Sequence, residues 1–180
     1  ISLGGEHLKP DGTVDYSVPR YVTEAFFLEM KTGRVELNDT LMVKDGATTG
    51  KTSFVERLPD SGKAAINEHV FIVRACEPIN KQLTFFFIKS LAMEFVATQS
   101  QGIIGGVKRD AVLNLLFPLP PLAEQHRIVA KVDELMALCY ELEAKQTAKT
   151  QTKEALNGAA LHHVRSATDP AELDSATRFY

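Results

Sequence analysis

Short apolar runs broken by turn residues fill the first two thirds of the chain, and an unbroken helical pattern fills the last third. Lys9-Pro-Asp-Gly-Thr13 has the composition of a turn. Thr40–Lys44 and Lys51–Glu56 are β-rich runs on either side of Asp45-Gly-Ala-Thr-Thr-Gly50, which predicts a hairpin with a glycine-containing loop. His69–Arg74 predicts another, buried strand. Leu83, Phe86, Phe87, Leu91 and Phe95 recur at threes and fours, which predicts an amphipathic helix over 80–100. A loop follows over Gln99–Val107, and 112–117 reads as a short apolar strand.

The chain changes character at Pro118-Leu-Pro-Pro121, after which no Gly or Pro occurs until Gly158. Pro121 suits a first helical turn, and Glu124 suits the positive end of the helix dipole. Ile128, Val132, Leu135, Cys139, Leu142, Gln146, Lys149, Lys153, Leu156, Ala160 and His163 alternate fours and threes, a heptad seam with a polar middle. A helix over 121–165 would run about 65 Å at 1.5 Å per residue. A globule of this size cannot cover such a helix, so the seam calls for a partner helix. The division is therefore 1–118 globular, 119–165 helix, and 166–180 a tail or the start of a linker. The predicted fold class is α+β: a mixed α/β domain followed by a long helix packed as an antiparallel coiled coil.

Composition narrows this picture. The 180 residues are 44% hydrophobic and 24% charged, a globular balance without an apolar run long enough to span a membrane. The opening Ile-Ser-Leu-Gly-Gly lacks Met and any signal-peptide pattern, which reads as a piece of a longer chain. Cys76 and Cys139, in apolar surroundings, make neither a disulfide framework nor a zinc pattern, and a reducing cytoplasm is the simplest compartment. Net charge is −3, so bulk positive charge is not the means of binding nucleic acid. A reader with few, well-placed basic residues is not excluded.

Candidate chemistry is sparse. Gly46-Ala-Thr-Thr-Gly50-Lys51-Thr52 looks like a phosphate-binding loop but is one residue short, has Asp45 where phosphate would sit, and runs into strand formers instead of a helix. A hairpin tip that offers Lys44, Thr48, Thr49 and Lys51 to a partner fits better. Asn67, Glu68 and His69 are either base-reading polar groups or turn chemistry at a strand start. The histidines lack metal-ligand spacing, and no catalytic constellation is visible. An enzyme, a DNA reader and a coiled-coil adaptor are the classes in contention, with the enzyme weakest.

Phe117-Pro-Leu-Pro-Pro-Leu-Ala-Glu-Gln-His-Arg-Ile-Val129, running into a long helix, resembles the boundary in specificity (S) subunits of type I restriction–modification systems, where a recognition domain ends in prolines, then Glu-Gln, then a spacer helix. Leu37–Lys51, Val14-Asp-Tyr-Ser, Arg20-Tyr-Val-Thr and Ala65-Ile-Asn67 are similar to recognition-domain segments of that family. The resemblance implies a non-catalytic subunit in which each recognition domain reads one half of a split duplex-DNA target. It implies antiparallel helices that set the unread spacer, with two modification subunits methylating adenine from S-adenosylmethionine. Restriction subunits would use ATP and Mg to translocate and cut. No cofactor is implied for this chain itself. The usual subunit has two domains and two helices, so one of each implies either a fragment or a half-length subunit that dimerises. A recognition-domain fragment of a type II or IIG methyltransferase is an alternative.

For DNA contacts, loop position and polarity select Lys44, Thr48, Thr49, Lys51, Asn67, His69, Gln99, Ser100, Gln101, Lys108 and Arg109, with Arg20, Tyr21, Lys31 and Arg34 as a second group. For pairing of helices the seam selects Val132, Leu135, Cys139, Leu142 and Leu156.

Overall fold

The computed structural model describes residues 1–92 and 106–166. These form β1 (Ser2–Leu3), α1 (Glu24–Glu29), β2 (Thr40–Val43), β3 (Thr52–Phe54), β4 (Ala65–Ile66), β5 (Val70–Val73), α2 (Lys81–Ser90), α3 (Arg109–Leu113) and α4 (Leu122–Ser166). The arrangement is α+β. Two compact units divide it, Ile1–Val129 and Ala130–Tyr180.

In the first unit β2 is central. It pairs antiparallel with β3, with Leu41 opposite Ser53, and with β5, with Thr40 opposite Val73 and Val43 opposite Val70. All four of its residues are buried. The period of two sends Leu41 and Val43 to one face, where they join Leu3, Leu8, Val55, Ala64 and Val70. Met42 faces the other way and packs with Ile88 of α2 and Val107. The predicted hairpin and the turn over 9–13 are both present. Lys9 N–H donates to Thr13 O (3.0 Å), and Phe54 N–H donates to Gly12 O (2.8 Å). Gly12 has φ +102°, and a Cβ there would stand 2.7 Å from Phe85 Cζ, so the turn fits only glycine against α2. A small parallel sheet, β1 with β4, ties the N-terminus in.

Several predictions change. The helix predicted over 80–100 is seen as α2, Lys81–Ser90; the part of the prediction over 93–100 lies outside the described residues. Its buried positions are Thr84, Phe85 and Ile88, while Leu83, Phe86 and Phe87 are half-buried. The face is set by Phe54, whose ring packs 5.5 Å from that of Phe85. The strand predicted at 112–117 is instead α3 followed by an irregular segment. Val112 and Leu115, three apart, both reach the Met42–Ile88 cluster, which a helical turn allows and a strand does not. Phe117 then meets Phe87 edge-on at 4.9 Å. The cysteines are both exposed, though Cys76 still lines a hollow with Phe71, Ile79 and Phe87. Strand β5 is only half-buried beyond Val70.

Helix α4 starts where the prolines stop. Pro121 O accepts from Glu124 N–H (2.8 Å) and Gln125 N–H (3.1 Å), so Pro121 stands one place before the first turn. Gln125 is fully buried. Its Oε1 accepts from Asn80 N–H (2.7 Å) and its Nε2 donates to Pro120 O (3.0 Å). Asn80 in turn caps α2, its Oδ1 accepting from Gln82 and Leu83 N–H. In the second unit the seam leucines stand in the open, with Leu135, Leu142 and Leu156 all at least half exposed. Cys139 is exposed and Val132 half-buried. Among the described residues no helix is long and apolar enough to cross a membrane.

Candidate nucleic-acid interface

The loop Asp45–Gly50 is shaped by its own backbone. Gly50 N–H donates to Val43 O (2.9 Å), Lys51 N–H to Thr48 O (3.0 Å), and Thr49 Oγ1 to Gly46 O (2.7 Å). Gly46 and Gly50 have positive φ. An antiparallel strand follows, not a helix, so the glycines do not make a phosphate-binding loop.

Segments distant in sequence surround this loop. Lys44 N–H donates to His69 O (2.9 Å), which brings 67–69 alongside. Lys51 Nζ donates to Gly5 O (3.0 Å), which ties in the N-terminal segment. That segment is held by His7, wholly buried: Nδ1 accepts from Gly4 N–H (3.0 Å), so Nε2 carries the proton and donates to Val18 O (3.1 Å). Arg20, two residues on, pairs with Glu6 at 2.9 Å. Glu6, Arg20, Asp45, Thr48, Asn67 and His69 thus line one shallow hollow of about 280 Å³. Lys44, Asp45, Phe71, Lys108 and Arg109 line an adjoining one, closed by the bond from Val107 N–H to Lys44 O (2.5 Å). Gly106 makes this approach possible, since a Cβ there would lie 2.4 Å from Lys44 O.

Most of the predicted contact residues therefore converge. Lys44, Thr48, Thr49, Asn67, His69, Lys108 and Arg109 sit on or beside these hollows, and Lys51 holds the loop from behind. Gln99, Ser100 and Gln101 lie outside the described residues. Of the second group, Arg20 lines the face and Tyr21 is strongly exposed next to it. Arg34 does other work: it donates to the carbonyls of Phe27 (3.2 Å) and Leu28 (2.7 Å) at the end of α1 and stacks on Phe27. Lys31 is exposed near α1.

Sequence reasoning missed Glu6 as a member of the face and read Asp45 as a loop residue that disfavours phosphate, not as a member of the face. Asp45 lines both hollows and its Oδ1 bonds His69 Nδ1 at 2.5 Å. Cations from Arg20, Lys44, Lys108 and Arg109 are interleaved with carboxylates of Glu6, Asp45, Glu68 and Asp110. Such a face suits groove edges, with their mixed donors and acceptors, better than phosphate alone. Among the described residues no cluster of His, Cys, Asp or Glu could hold a metal.

Known proteins bear on this geometry. The family model described as the type I restriction modification DNA specificity domain matches residues 8–151. No curated protein matches the chain. Among solved structures, the crystal structure of the HsdS subunit from Thermoanaerobacter tengcongensis superposes with a TM-score of 0.63 at 20% identity, over 92% of this chain and 43% of that one. A chain from a structure concerned with complex assembly and conformational transition of the type I R-M system matches with a TM-score of 0.49 at 21% identity, over 82% of this chain and 32% of that one. The chain thus spans less than half the length of either of these two structures.

Proposed function

Because the chain belongs to the type I restriction modification DNA specificity domain family, we propose that residues 1–118 read one half of a split duplex-DNA target. The observation that carries this is the convergence of the hairpin loop, Asn67–His69 and Lys108–Arg109 on one face of the first unit. In this reading the chain does no chemistry. The helix over 119–165 pairs through Val132, Leu135, Cys139, Leu142 and Leu156 with a second such helix, from the same subunit or another copy, and residues 166–180 lead onward. Modification and restriction subunits dock on the assembly and bring S-adenosylmethionine, ATP and Mg; the complex methylates adenine and cleaves DNA. The place of action is the cytoplasm.

The mixed charge of the face implies modest affinity for one half-site. Joining two half-sites on one spacer raises affinity through effective concentration instead of through more cations. The same mixed charge would serve a coiled-coil adaptor that binds protein, which is the second reading. Selection from randomised duplex DNA separates them. The expected result is a short asymmetric motif, or inverted copies at fixed spacing if two chains pair. No enrichment, with or without the modification subunit, would leave the adaptor. Substituting Lys108 by Ala should weaken all sequences alike and flatten the salt dependence.

A further inference from the structure

We infer that Asp45 is a positioning residue that makes His69 Nε2 a hydrogen-bond acceptor for a base carrying an exocyclic amine, cytosine or adenine. This rests on the DNA-reading proposal above. The pairing of Lys44 N–H with His69 O extends the β2–β5 ladder by one step, so the backbone fixes where both side chains start. Asn67 Oδ1 accepts from His69 N–H (3.0 Å) and braces the same turn. Asp45 Oδ1 then meets His69 Nδ1 at 2.5 Å. An ionised carboxylate can only accept, so the shared proton belongs to Nδ1. In the neutral ring that leaves a lone pair on Nε2.

Among the described residues nothing consumes that lone pair. Glu68 Oε1 lies 3.5 Å from Nε2, beyond good bonding distance, and is itself an acceptor. His69 is about half exposed, so the ring is open to a ligand. Lys44 Nζ lies 3.8 Å from Asp45 Oδ2, on the far side of the carboxylate from the ring. In the major groove cytosine offers the N4 amine and adenine the N6 amine. Guanine and thymine offer only acceptors there, with the thymine methyl besides. A tautomer fixed as Nδ1–H therefore accepts from C or A and meets G or T lone pair to lone pair.

The test compares the full chain with D45A, D45N and H69A variants at about pH 8, where an ordinary imidazole is neutral. Two readouts are taken: base preference in selection from randomised duplex DNA, and the imidazole tautomer from ring ¹⁵N–¹H spectra. The wild type should show Nδ1–H at His69 and a position restricted to C or A. D45A should shift the ring toward Nε2–H and lose about tenfold of that preference, the low end of what one base contact contributes. D45N, whose amide can donate to Nδ1 as well as accept from it, releases the tautomer while keeping the side-chain shape and should lose the preference as D45A does, with an unchanged urea midpoint excluding a general loss of folding. H69A should relax the same position. A wild-type motif that D45A and H69A leave intact would overturn the inference while DNA reading stands, as would an Nε2–H tautomer in the wild type. If the wild type enriches no sequence even with the modification subunit present, the reading beneath it fails first.

Discussion

Strands β2 and β5 carry an aspartate and a basic side chain at each end, and the two pairs are built differently. At one end Asp39 is 1% exposed and receives three bonds: Arg74 Nε to Oδ1 (2.7 Å), Arg74 Nη2 to Oδ2 (2.8 Å) and Glu36 N–H to Oδ2 (2.7 Å). Arg74 also reaches Glu36 Oε1 (2.8 Å) and Arg34 O (3.2 Å), and the Asp39 hydrogen bond holds its guanidinium above the usual range. At the other end Asp45 and His69 share one bond and stay partly open. The first pair has its bonding capacity turned inward; the second keeps a ring nitrogen for something outside. The closed pair is built for stability; the open pair is the one that the proposed reading assigns to recognition.

Removing Arg74 is the strongest way to break this comparison. Arg74→Ala would leave Asp39 charged, buried and short of two donors, and should lower unfolding stability by about 3 kcal/mol. Urea denaturation would show it as a lower midpoint at unchanged slope. A loss under about 1 kcal/mol would mean water replaces the guanidinium, and the two ends would then differ less than their burial implies. Gln125→Ala comes next. It strands Asn80 N–H and Pro120 O, and should cost about 2 kcal/mol. Asp45→Ala, by contrast, should change stability by less than about 1 kcal/mol, as for a surface pair, while altering base preference.

The contrast between the two ends was not legible in the sequence, although much around it was. The hairpin follows from two β-rich runs and a glycine loop, and α4 from a heptad pattern uninterrupted by Gly or Pro before Gly158, because such signals are local. Gln125 was visible as part of a motif, not as the anchor of Asn80, since its partners lie 45 and 5 residues away. The 112–117 segment misled for a related reason. An apolar run is equally a strand or a helical turn until the cluster it packs on is known, here Met42 and Ile88. Glu6 joined the face only because His7 turns its segment back under Val18.

A third set of carboxylates is neither closed nor open to a ligand. Asp11 is held below the usual range chiefly by the Thr13 backbone N–H and then its hydroxyl. Asp15 is held far below it by Lys9 and then Ser17. A depressed folded pKa means the unfolded chain binds protons first as pH falls. The contribution is present above about pH 4 and is lost on descent through the folded pKa. The urea midpoint should therefore decline below about pH 4. In Asp11→Asn that decline should be shallower, and the shared effect of the turn is small because both groups face solvent.

Ser53 gives the smallest effect and the sharpest control. It lies in β3 opposite Leu41, fully buried, and among the described residues its Oγ is the buried side-chain polar atom without a partner. Burial matches that of Asp39, but pairing is absent. If burial alone made a polar group matter, Ser53→Ala would cost as Arg74→Ala does. Because an unpaired hydroxyl has already lost its water and gained nothing, the substitution should be neutral or stabilising, within about 1 kcal/mol. Measured in the same urea series, a neutral Ser53→Ala beside a costly Arg74→Ala would assign the stability of the β2–β5 end to its completed bonds. A loss above about 1 kcal/mol would instead reveal a buried water on the Ser53 hydroxyl, and burial would again be the simpler criterion.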